Sequence, residues 1–335
     1  MNVLRKILFP FSILYGFITA FRNFLFDINV LKSYSFAVPT IVVGNLSVGG
    51  TGKSPQIEYL IRLLSPQYKV ATLSRGYKRK TEGFVLADTN ATAATLGDEP
   101  YQFFSKFKSI QVAVDANRKN GIEMLLTQKS KPDIILLDDA YQHRKVKGGV
   151  YILLTTYNDL YCDDYMLPTG NLRESRSGAK RASIVIVTKC PPDLGTIEQA
   201  KIKAKLKLEQ QQQLYFSCIA YDDFVFSGQS SIDVKLVLKE PKILVAGIAR
   251  PDPFFNFLKQ DGDLCLSFPD HHDFSTSDIE MIKEKAGNKM IITTEKDFVR
   301  LKGRLPVEQL FYLPIQSSFI NEGANFNKTI YDYVG

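Results

Sequence analysis

The chain has 335 residues, of which 45% are hydrophobic and 23% charged, and this balance excludes a disordered protein. Its net charge is +7, so we expect an anionic partner: a membrane surface, a phosphorylated substrate or a nucleic acid. Nucleic acid is the least favoured of these, because the chain has no tryptophan and no basic stretch interleaved with stacking aromatic residues. The four cysteines form no C-x-x-C pair, so their spacing indicates neither a zinc site nor a disulfide framework. We therefore expect the protein in a reducing compartment.

Residues 1–26 are more apolar than the rest of the chain. No charge occurs from Ile7 to Phe21, and basic residues flank this run on both sides. The run is too short to span a bilayer as a helix, which needs about 20 residues. Its many aromatic residues favour a helix that lies in the membrane interface. The alternatives are a helix packed on the protein's own core and a cleaved secretory signal; the signal is disfavoured because no small-residue cleavage site precedes Arg22.

The stretch VGGTGKS, residues 48–54, lies between a predicted strand at 39–43 and a helical pattern at 55–65. Its glycines let the backbone wrap around phosphate oxygens, and the N-terminus of the following helix favours an anion. Ser47 stands where the common formula has glycine, and a glycine-rich hairpin or a helix cap is the alternative. The pattern nevertheless predicts a nucleotide site formed by Gly49, Gly50, Thr51, Gly52, Lys53 and Ser54. Lys53 would bridge the β- and γ-phosphates, and the Ser54 hydroxyl would bind Mg²⁺.

Two acidic residues follow another hydrophobic strand. The stretch PDIILLDDA places Asp138 and Asp139 at the strand's end, where a phosphate-loop protein holds the carboxylate that orients Mg²⁺. The alternative is an acidic helix cap. Together with the glycine loop, the two aspartates predict that Ser54, Asp138 and Asp139 bind the metal.

The first two thirds of the chain alternate short apolar runs with helical stretches such as 117–128. Runs that are apolar throughout are typical of parallel strands buried on both faces. The alternation predicts a doubly wound, mostly parallel α/β sheet of the P-loop NTPase kind. The predicted strands are 39–43, 69–73, 110–114, 133–138, 150–155 and 183–188.

A Lys- and Gln-rich stretch at 196–213 predicts a solvated helix, after which the pattern changes. Residues 214–238 resemble a β-hairpin, and a second, smaller α/β unit begins at 242 with strands near 242–248, 289–297 and 310–315. The predicted organisation is an apolar interface helix (1–26), a P-loop core (27–213), a β-stranded linker (214–241) and a C-terminal α/β domain (242–335).

Several motifs, taken in order, resemble one family closely. They are GNLSVGGTGKSP, SRGY, GDEP, DDAYQHR, PTGNLRES, GIARPDPFF, FPDHHDF and TTEKDFVRL. On these motifs the chain is similar to the tetraacyldisaccharide 4'-kinases, the lipid A 4'-kinases of Gram-negative bacteria. A hydroxyl residue at the position of Ser47 is usual in that family, so its phosphate loop has the same irregularity.

The resemblance implies a P-loop core and a smaller C-terminal α/β domain joined by a β-stranded linker. It also implies transfer of the ATP γ-phosphate, with Mg²⁺, to the 4'-hydroxyl of a tetraacylated glucosamine disaccharide 1-phosphate. The reaction would take place at the cytoplasmic face of the inner membrane, by a peripheral or monotopic enzyme. The expected partners are therefore the acylated disaccharide phosphate lipid and an anionic membrane surface, and no protein partner is implied.

The resemblance also implies roles for residues that the sequence alone would leave as ordinary loop positions. Asp98 in GDEP is the candidate general base, with His271 as its partner, and His272 is the less favoured of the two histidines. Arg75 would approach the γ-phosphate. Substrate contacts are expected from Glu99, Arg118 and Arg173, because an arginine fork suits phosphate.

The alternative reading is a membrane-associated switch ATPase of the ParA/MinD kind. The loop of those proteins carries a lysine directly before the two glycines, where this chain has Val48. A GTPase is also disfavoured, because the stretch VTKCP has Pro191 where its base-recognition motif needs an aspartate.

Overall fold

The computed structural model describes residue 5 and residues 7–228, 230–270 and 272–335. The chain forms two compact units. The first contains the residues up to Ile219 together with Ser317–Gly335, and the second contains Ala220–Gln316. The predicted boundaries at 213 and 242 therefore differ from those of the structure.

The first unit is built on a nine-stranded sheet of order β15-β8-β7-β6-β1-β5-β2-β4-β3. The pairs from β8 through β7, β6, β1, β5 and β2 to β4 are parallel, and β3 is antiparallel to β4. All residues of β1, β2, β5 and β7 are buried, which is why these strands appear in the sequence as continuous apolar runs. The strands are β1 Thr40–Asn45, β2 Val70–Ser74, β3 Val85–Leu86, β4 Gln111–Val114, β5 Ile134–Asp138, β6 Val150–Thr156, β7 Ile184–Thr188, β8 Gln213–Tyr221 and β15 Ile315–Phe319.

Seven α-helices are described in this unit. They are α1 Phe9–Asp27, α2 Lys53–Leu64, α3 Ala93–Leu96, α4 Asp98–Lys106, α5 Arg118–Leu126, α6 Thr196–Leu206 and α11 Gly323–Val334. The apolar face of α2, with Ile57 and Leu60, shares a core cluster with Phe326 and Ile330 of α11. This packing explains why the last residues of the chain belong to the first unit and not to the predicted C-terminal domain.

Helix α1 turns its polar side chains toward the protein and its apolar ones outward. The hydroxyl of Ser12 donates to that of Thr169 at 2.7 Å, and both residues are buried. Tyr15 donates to the backbone carbonyl of Arg173 at 3.0 Å. The large apolar residues of α1 that are exposed are Phe9, Phe11, Ile13, Leu14, Phe17, Ile18, Phe21 and Phe24. By length and composition α1 could cross a membrane, and its exposed apolar face shows that it is not a core helix.

The second unit has a six-stranded sheet of order β10-β9-β14-β13-β11-β12. Strands β14, β13, β11 and β12 are parallel, and β9 and β10 form the antiparallel pair expected of a hairpin. The predicted second hairpin strand ends early, because Val234–Val237 forms the short helix α7. The remaining elements are β9 Phe224–Phe226, β10 Ser231–Asp233, β11 Lys242–Ala246, α8 Asp252–Leu258, β12 Leu264–Ser267, α9 Thr276–Ala286, β13 Met290–Thr294, α10 Glu295–Leu301 and β14 Leu310–Leu313.

Candidate active site

The glycine-rich stretch connects the end of β1 with the start of α2. Gly49 and Gly52 have φ of 112° and 86°, a region that a residue with a β-carbon rarely adopts. Gly52 is the N-cap of α2, so Lys53 and Ser54 begin the helix. The stretch thus forms a strand–loop–helix unit whose amide groups lie at a helix N-terminus, where an anion is favoured.

Parallel pairing of β1, β2 and β5 brings the residues at their carboxyl ends to the same edge of the sheet. Val43 of β1 pairs with Asp138 of β5, and Leu73 of β2 pairs with Leu137. The carboxyl ends of these three central strands therefore lie together, which is where open α/β sheets bind ligands.

Lys53 belongs to a cluster of opposite charges. Its Nζ lies 3.7 Å from Oδ1 of Asp139 and 3.4 Å from Oδ1 of Asn45. Arg173 donates to both carboxylate oxygens of Asp139, at 2.7 and 3.1 Å, and also to the side-chain oxygen of Asn45. Burial alone would raise the pKa of Asp139, but the hydrogen bonds of Arg173 and the charge of Lys53 outweigh it and hold the pKa below its usual range. Asp139 is an ionised partner of two cations.

A second group of oxygen atoms belongs to Ser54, Glu99, Ser74 and Asp138. The Ser54 hydroxyl donates to Oε1 of Glu99 at 3.2 Å, and Ser74 donates to Oδ2 of Asp138 at 3.2 Å. The other oxygen of Asp138, Oδ1, is buried and makes no hydrogen bond to any residue that the structure describes. Burial, with the charges of Glu99 and Asp139, raises the pKa of Asp138 to about 7. Burial of such a carboxylate in its charged form is unfavourable unless a cation binds to it.

These contacts separate the two aspartates that were both predicted as metal ligands. Asp138 lies with the oxygen atoms near Ser54 and Glu99, whereas Asp139 is paired with Lys53 and Arg173. In the part of the chain that the structure describes, no group of three or more histidine, cysteine or acidic side chains could hold a metal ion. A magnesium site here would therefore rest on Asp138 with hydroxyl, phosphate and water oxygens, which suits a metal that keeps several waters.

Two of the predicted substrate contacts take other positions. Arg118 is only 2% exposed and donates to the backbone carbonyls of Asp115 and Asp138. Burial lowers the pKa of Arg118 to about 10. The guanidinium of Arg118 therefore supports the end of β5 from inside the unit, and its expected contact with the substrate stays a prediction. The Arg173 fork, also expected to bind the substrate, is occupied by Asp139 and Asn45.

The remaining predicted residues lie in both units. Arg75 is exposed directly after β2, and Asp98 is exposed as the first residue of α4, next to Glu99. In the second unit, His272 is 3.0 Å from Asp278 and stacks on Phe268, which indicates a local structural role. His271 lies outside the described residues.

Sequence reasoning missed three residues that hold this site together. The Gln142 amide donates to the backbone carbonyl of Asn45 at 2.8 Å and to the carboxylate of Glu174 at 3.0 Å. Glu174 is buried, and Arg181 donates to both of its oxygens. Gln142 and Glu174 are near neighbours of Asp139 and Arg173 in the motifs DDAYQHR and GNLRES, and this proximity was the available signal.

Comparison with known proteins gives a uniform result. A sequence model of the family described as tetraacyldisaccharide-1-P 4'-kinase matches residues 4–334. A tetraacyldisaccharide 4'-kinase of Flavobacterium johnsoniae is 64% identical, covering 100% of this chain and 98% of the relative. One from Bacteroides fragilis is 47% identical, covering 99% and 93%. The crystal structure of "apo" form LpxK from Aquifex aeolicus in complex with ATP has 30% identity and a TM-score of 0.80, covering 99% of this chain and 100% of that one. The predicted family resemblance and the predicted P-loop α/β fold are confirmed.

Proposed function

Since the chain belongs to the tetraacyldisaccharide-1-phosphate 4'-kinase family and is therefore an ATP-dependent kinase, we propose how its residues transfer the γ-phosphate of ATP to the 4'-hydroxyl of a tetraacylated disaccharide 1-phosphate in lipid A biosynthesis. The observation that carries the proposal is the glycine-lined loop that leads into Lys53 and Ser54, beside the carboxylates of Glu99 and Asp138. The switch-ATPase alternative gains no support, because the matched family and both relatives are kinases by name.

The phosphate end of ATP is bound by the loop amides of residues 49–52 and by Lys53. The helix N-terminus and the lysine both favour anionic oxygens. To reach a phosphate, Lys53 exchanges its contacts with Asp139 and Asn45, and Arg173 then keeps Asp139 paired. Arg75, exposed at the end of β2, is the candidate for the γ-phosphate.

Magnesium fits the oxygen atoms around Asp138. The magnesium ion would be held by the Ser54 hydroxyl and by Oδ1 of Asp138, which is buried and makes no hydrogen bond to a described residue. Glu99 would accept a hydrogen bond from a water molecule bound to the ion. When bound, the ion would neutralise charge on the β- and γ-phosphates.

Asp98 is the proposed general base for the sugar hydroxyl. Its carboxylate is exposed next to Glu99 and can accept the proton that the hydroxyl loses. The role of His271 stays a prediction from the family resemblance.

A cationic cavity offers a site for the 1-phosphate of the lipid. It measures about 340 Å³ and lies beside α1, lined by Arg22, Ala116, Asn117, His143, Arg144 and Lys145. Burial and the neighbouring Arg118 lower the pKa of His143 to about 4, so this histidine is neutral at pH 7. The positive charge of the cavity comes from Arg22, Lys145 and Arg144, and Arg144 is paired with Asp27 at 2.7 Å. The cavity is the proposed anion contact on the substrate side, in addition to the predicted contacts of Arg118 and Arg173.

The test of the function is a transfer assay with the full chain, Mg²⁺-ATP and purified tetraacyl disaccharide 1-phosphate. We expect the lipid to gain one phosphoryl group, and a lipid already phosphorylated at the 4'-position to gain none. A lipid that lacks the 1-phosphate is expected to show a raised KM, because the cationic cavity then has no anion to bind. Transfer to another hydroxyl, or ATP hydrolysis without transfer, would contradict the proposed reaction.

We also propose that α1 lies on the anionic surface of the inner membrane, on its cytoplasmic side. The helix is fastened to the first unit by its polar side chains, so its outward apolar face remains available to lipid. The arginine and lysine side chains of the cavity, at the C-terminal half of α1, would meet anionic headgroups.

Replacing Phe17 and Phe21 by serine is expected to weaken binding to vesicles that contain anionic lipid by at least about tenfold. The reason is that each buried phenylalanine contributes roughly 1.5–3 kcal/mol. The two side chains are 70% and 53% exposed, so the fold is expected to be retained. Vesicle co-sedimentation measures the effect, and turnover of detergent-dispersed substrate is the control. Unchanged sedimentation would show that this face does not bind lipid.

A further inference from the structure

Lys189 is an exposed residue that lies against the phosphate loop although it comes from another strand. It directly follows β7, and its Nζ is 3.9 Å from the position that a β-carbon would take on Gly50. The preceding residue fixes this approach, because the buried Thr188 hydroxyl donates to the backbone carbonyl of Thr51 at 2.8 Å. The end of β7 is thereby tied to the loop that we propose for the phosphates.

The backbone of Lys189 is strained in a way that favours a functional role. Its φ is 57°, in the left-handed region, which residues with a β-carbon rarely adopt. Glycine would adopt this conformation without cost. Lys207 has a similar φ away from the loop, so the conformation supports a role for Lys189 only together with its position beside Gly50.

The order of the strands indicates which part of ATP Lys189 can reach. Strands β5 and β2, with Asp138 and Ser74, lie on one side of β1, and β6 and β7 lie on the other. The γ-phosphate and the metal belong on the side of Asp138. A nucleotide whose phosphates cross the loop from that side therefore directs its ribose and base toward β7 and Lys189.

We propose that Lys189 contacts the nucleoside end of ATP, with its methylene groups covering the ribose or base and its ammonium group attracted to the base. Lysine side chains bury their stems in this manner while the charged end stays in water, and an ammonium group is attracted to an aromatic face. The assignment rests on the proposed function, because it takes the loop of residues 49–54 as the site of the phosphates. It gives a role to the TK pair of the VTKCP stretch, which lacks the aspartate of a GTPase.

The test compares Mg²⁺-ATP with Mg²⁺-tripolyphosphate, which has the same phosphate chain without a nucleoside. Binding of each is measured by calorimetry for the wild type, Lys189→Ala and Lys189→Met. We expect Lys189→Ala to weaken ATP binding about tenfold and to leave tripolyphosphate binding within twofold of the wild type. Lys189→Met keeps most of the stem, so its loss of ATP binding is expected to be smaller.

Lys207→Ala is the matched control, since Lys207 is also exposed and left-handed, with φ of 49°, but it lies at the end of α6. It is expected to bind both ligands as the wild type does. Equal weakening of ATP and tripolyphosphate by Lys189→Ala would place Lys189 at the phosphates and overturn the proposal, and so would no weakening of either. Lys53→Ala tests the proposed function on which this assignment rests. If Lys53→Ala binds both ATP and tripolyphosphate as tightly as the wild type, the phosphate loop itself is wrongly assigned.

Discussion

Replacing Lys53 by alanine is expected to reduce kcat/KM for ATP by about 10²- to 10³-fold, the usual loss when one charge-stabilising donor is removed from a transition state. Lys53 is the cation at the start of α2, and phosphoryl transfer depends mainly on positioning and on neutralising the phosphate charge. Because Lys53 would act on ATP and not on the lipid, KM for the disaccharide lipid is expected to stay within about threefold of the wild type.

The structure explains why this substitution is expected to leave the fold intact. Asp139, the carboxylate beside Lys53, keeps its two hydrogen bonds from Arg173 when Lys53 is lost, so Asp139 is not left without a partner. We therefore expect the melting temperature without ligand to change by less than about 2–4 °C, the effect of roughly 1 kcal/mol in a protein of this size.

A matched control for Lys53→Ala is Lys201→Ala. Lys201 is on α6, its side chain is 70% exposed, and it forms a surface ion pair with Glu198. It removes the same charge and is expected to retain full activity, since such pairs contribute little. Wild-type turnover by Lys53→Ala, measured with the phosphorylated lipid as product, would contradict the assignment of the loop.

The features that the sequence predicted best are those that depend on residues close together in the chain. The glycines at 49 and 52 adopt the positive φ that their chemistry allows, and Lys53 and Ser54 begin the helix that follows. The central strands were predicted because burial on both faces makes them continuously apolar, a signal present within each run of five or six residues.

The arrangements that the sequence did not indicate depend on contacts between distant residues. Asp139 and Asp138 are equivalent in sequence, and only Arg173, 34 residues further on, turns Asp139 into the partner of two cations. Arg118 was expected to bind a substrate because an arginine fork suits phosphate, and its burial depends on the carbonyl groups of Asp115 and Asp138 that accept its hydrogen bonds. No local pattern reports either arrangement.

The position of the last helix, α11, also depends on contacts with residues that are distant in the chain. The spacing of Phe326, Ile330 and Val334 is that of an amphipathic helix, but two sheets were available to bury it. Tyr59, on α2, contributes to the choice, because its ring meets those of Phe319 and Phe326 and its hydroxyl donates to Asn327. Packing of this kind is specified by the partner surface and not by the helix alone.

Replacing Asp98 by asparagine is expected to lower kcat by about 10²- to 10⁴-fold, the range that general acid–base catalysis contributes. The amide has the same shape as the carboxylate, but it cannot take the proton that the sugar hydroxyl loses as it attacks. KM for ATP is expected to stay within about threefold, because Asp98 would act only on the acceptor. Initial rates with varied ATP and varied lipid separate the two effects.

The neighbouring carboxylate makes this test sharper. Asp98 and Glu99 are adjacent in the first turn of α4, and both are exposed, but Glu99 accepts a hydrogen bond from Ser54 at 3.2 Å. Glu99→Gln removes the same charge next to the residue proposed to hold magnesium. It is expected to raise the Mg²⁺ concentration needed for half-maximal activity, with a smaller loss of kcat at saturating Mg²⁺ than Asp98→Asn causes.

The two variants therefore distinguish a base from a general electrostatic effect. If Asp98 accepts the proton, Asp98→Asn stays slow at every Mg²⁺ concentration. If the two carboxylates acted only through their charge, both variants would recover together at high Mg²⁺. Recovery of Asp98→Asn, or a loss confined to KM for ATP, would move Asp98 to the nucleotide side of the site and leave the proton of the 4'-hydroxyl to another group.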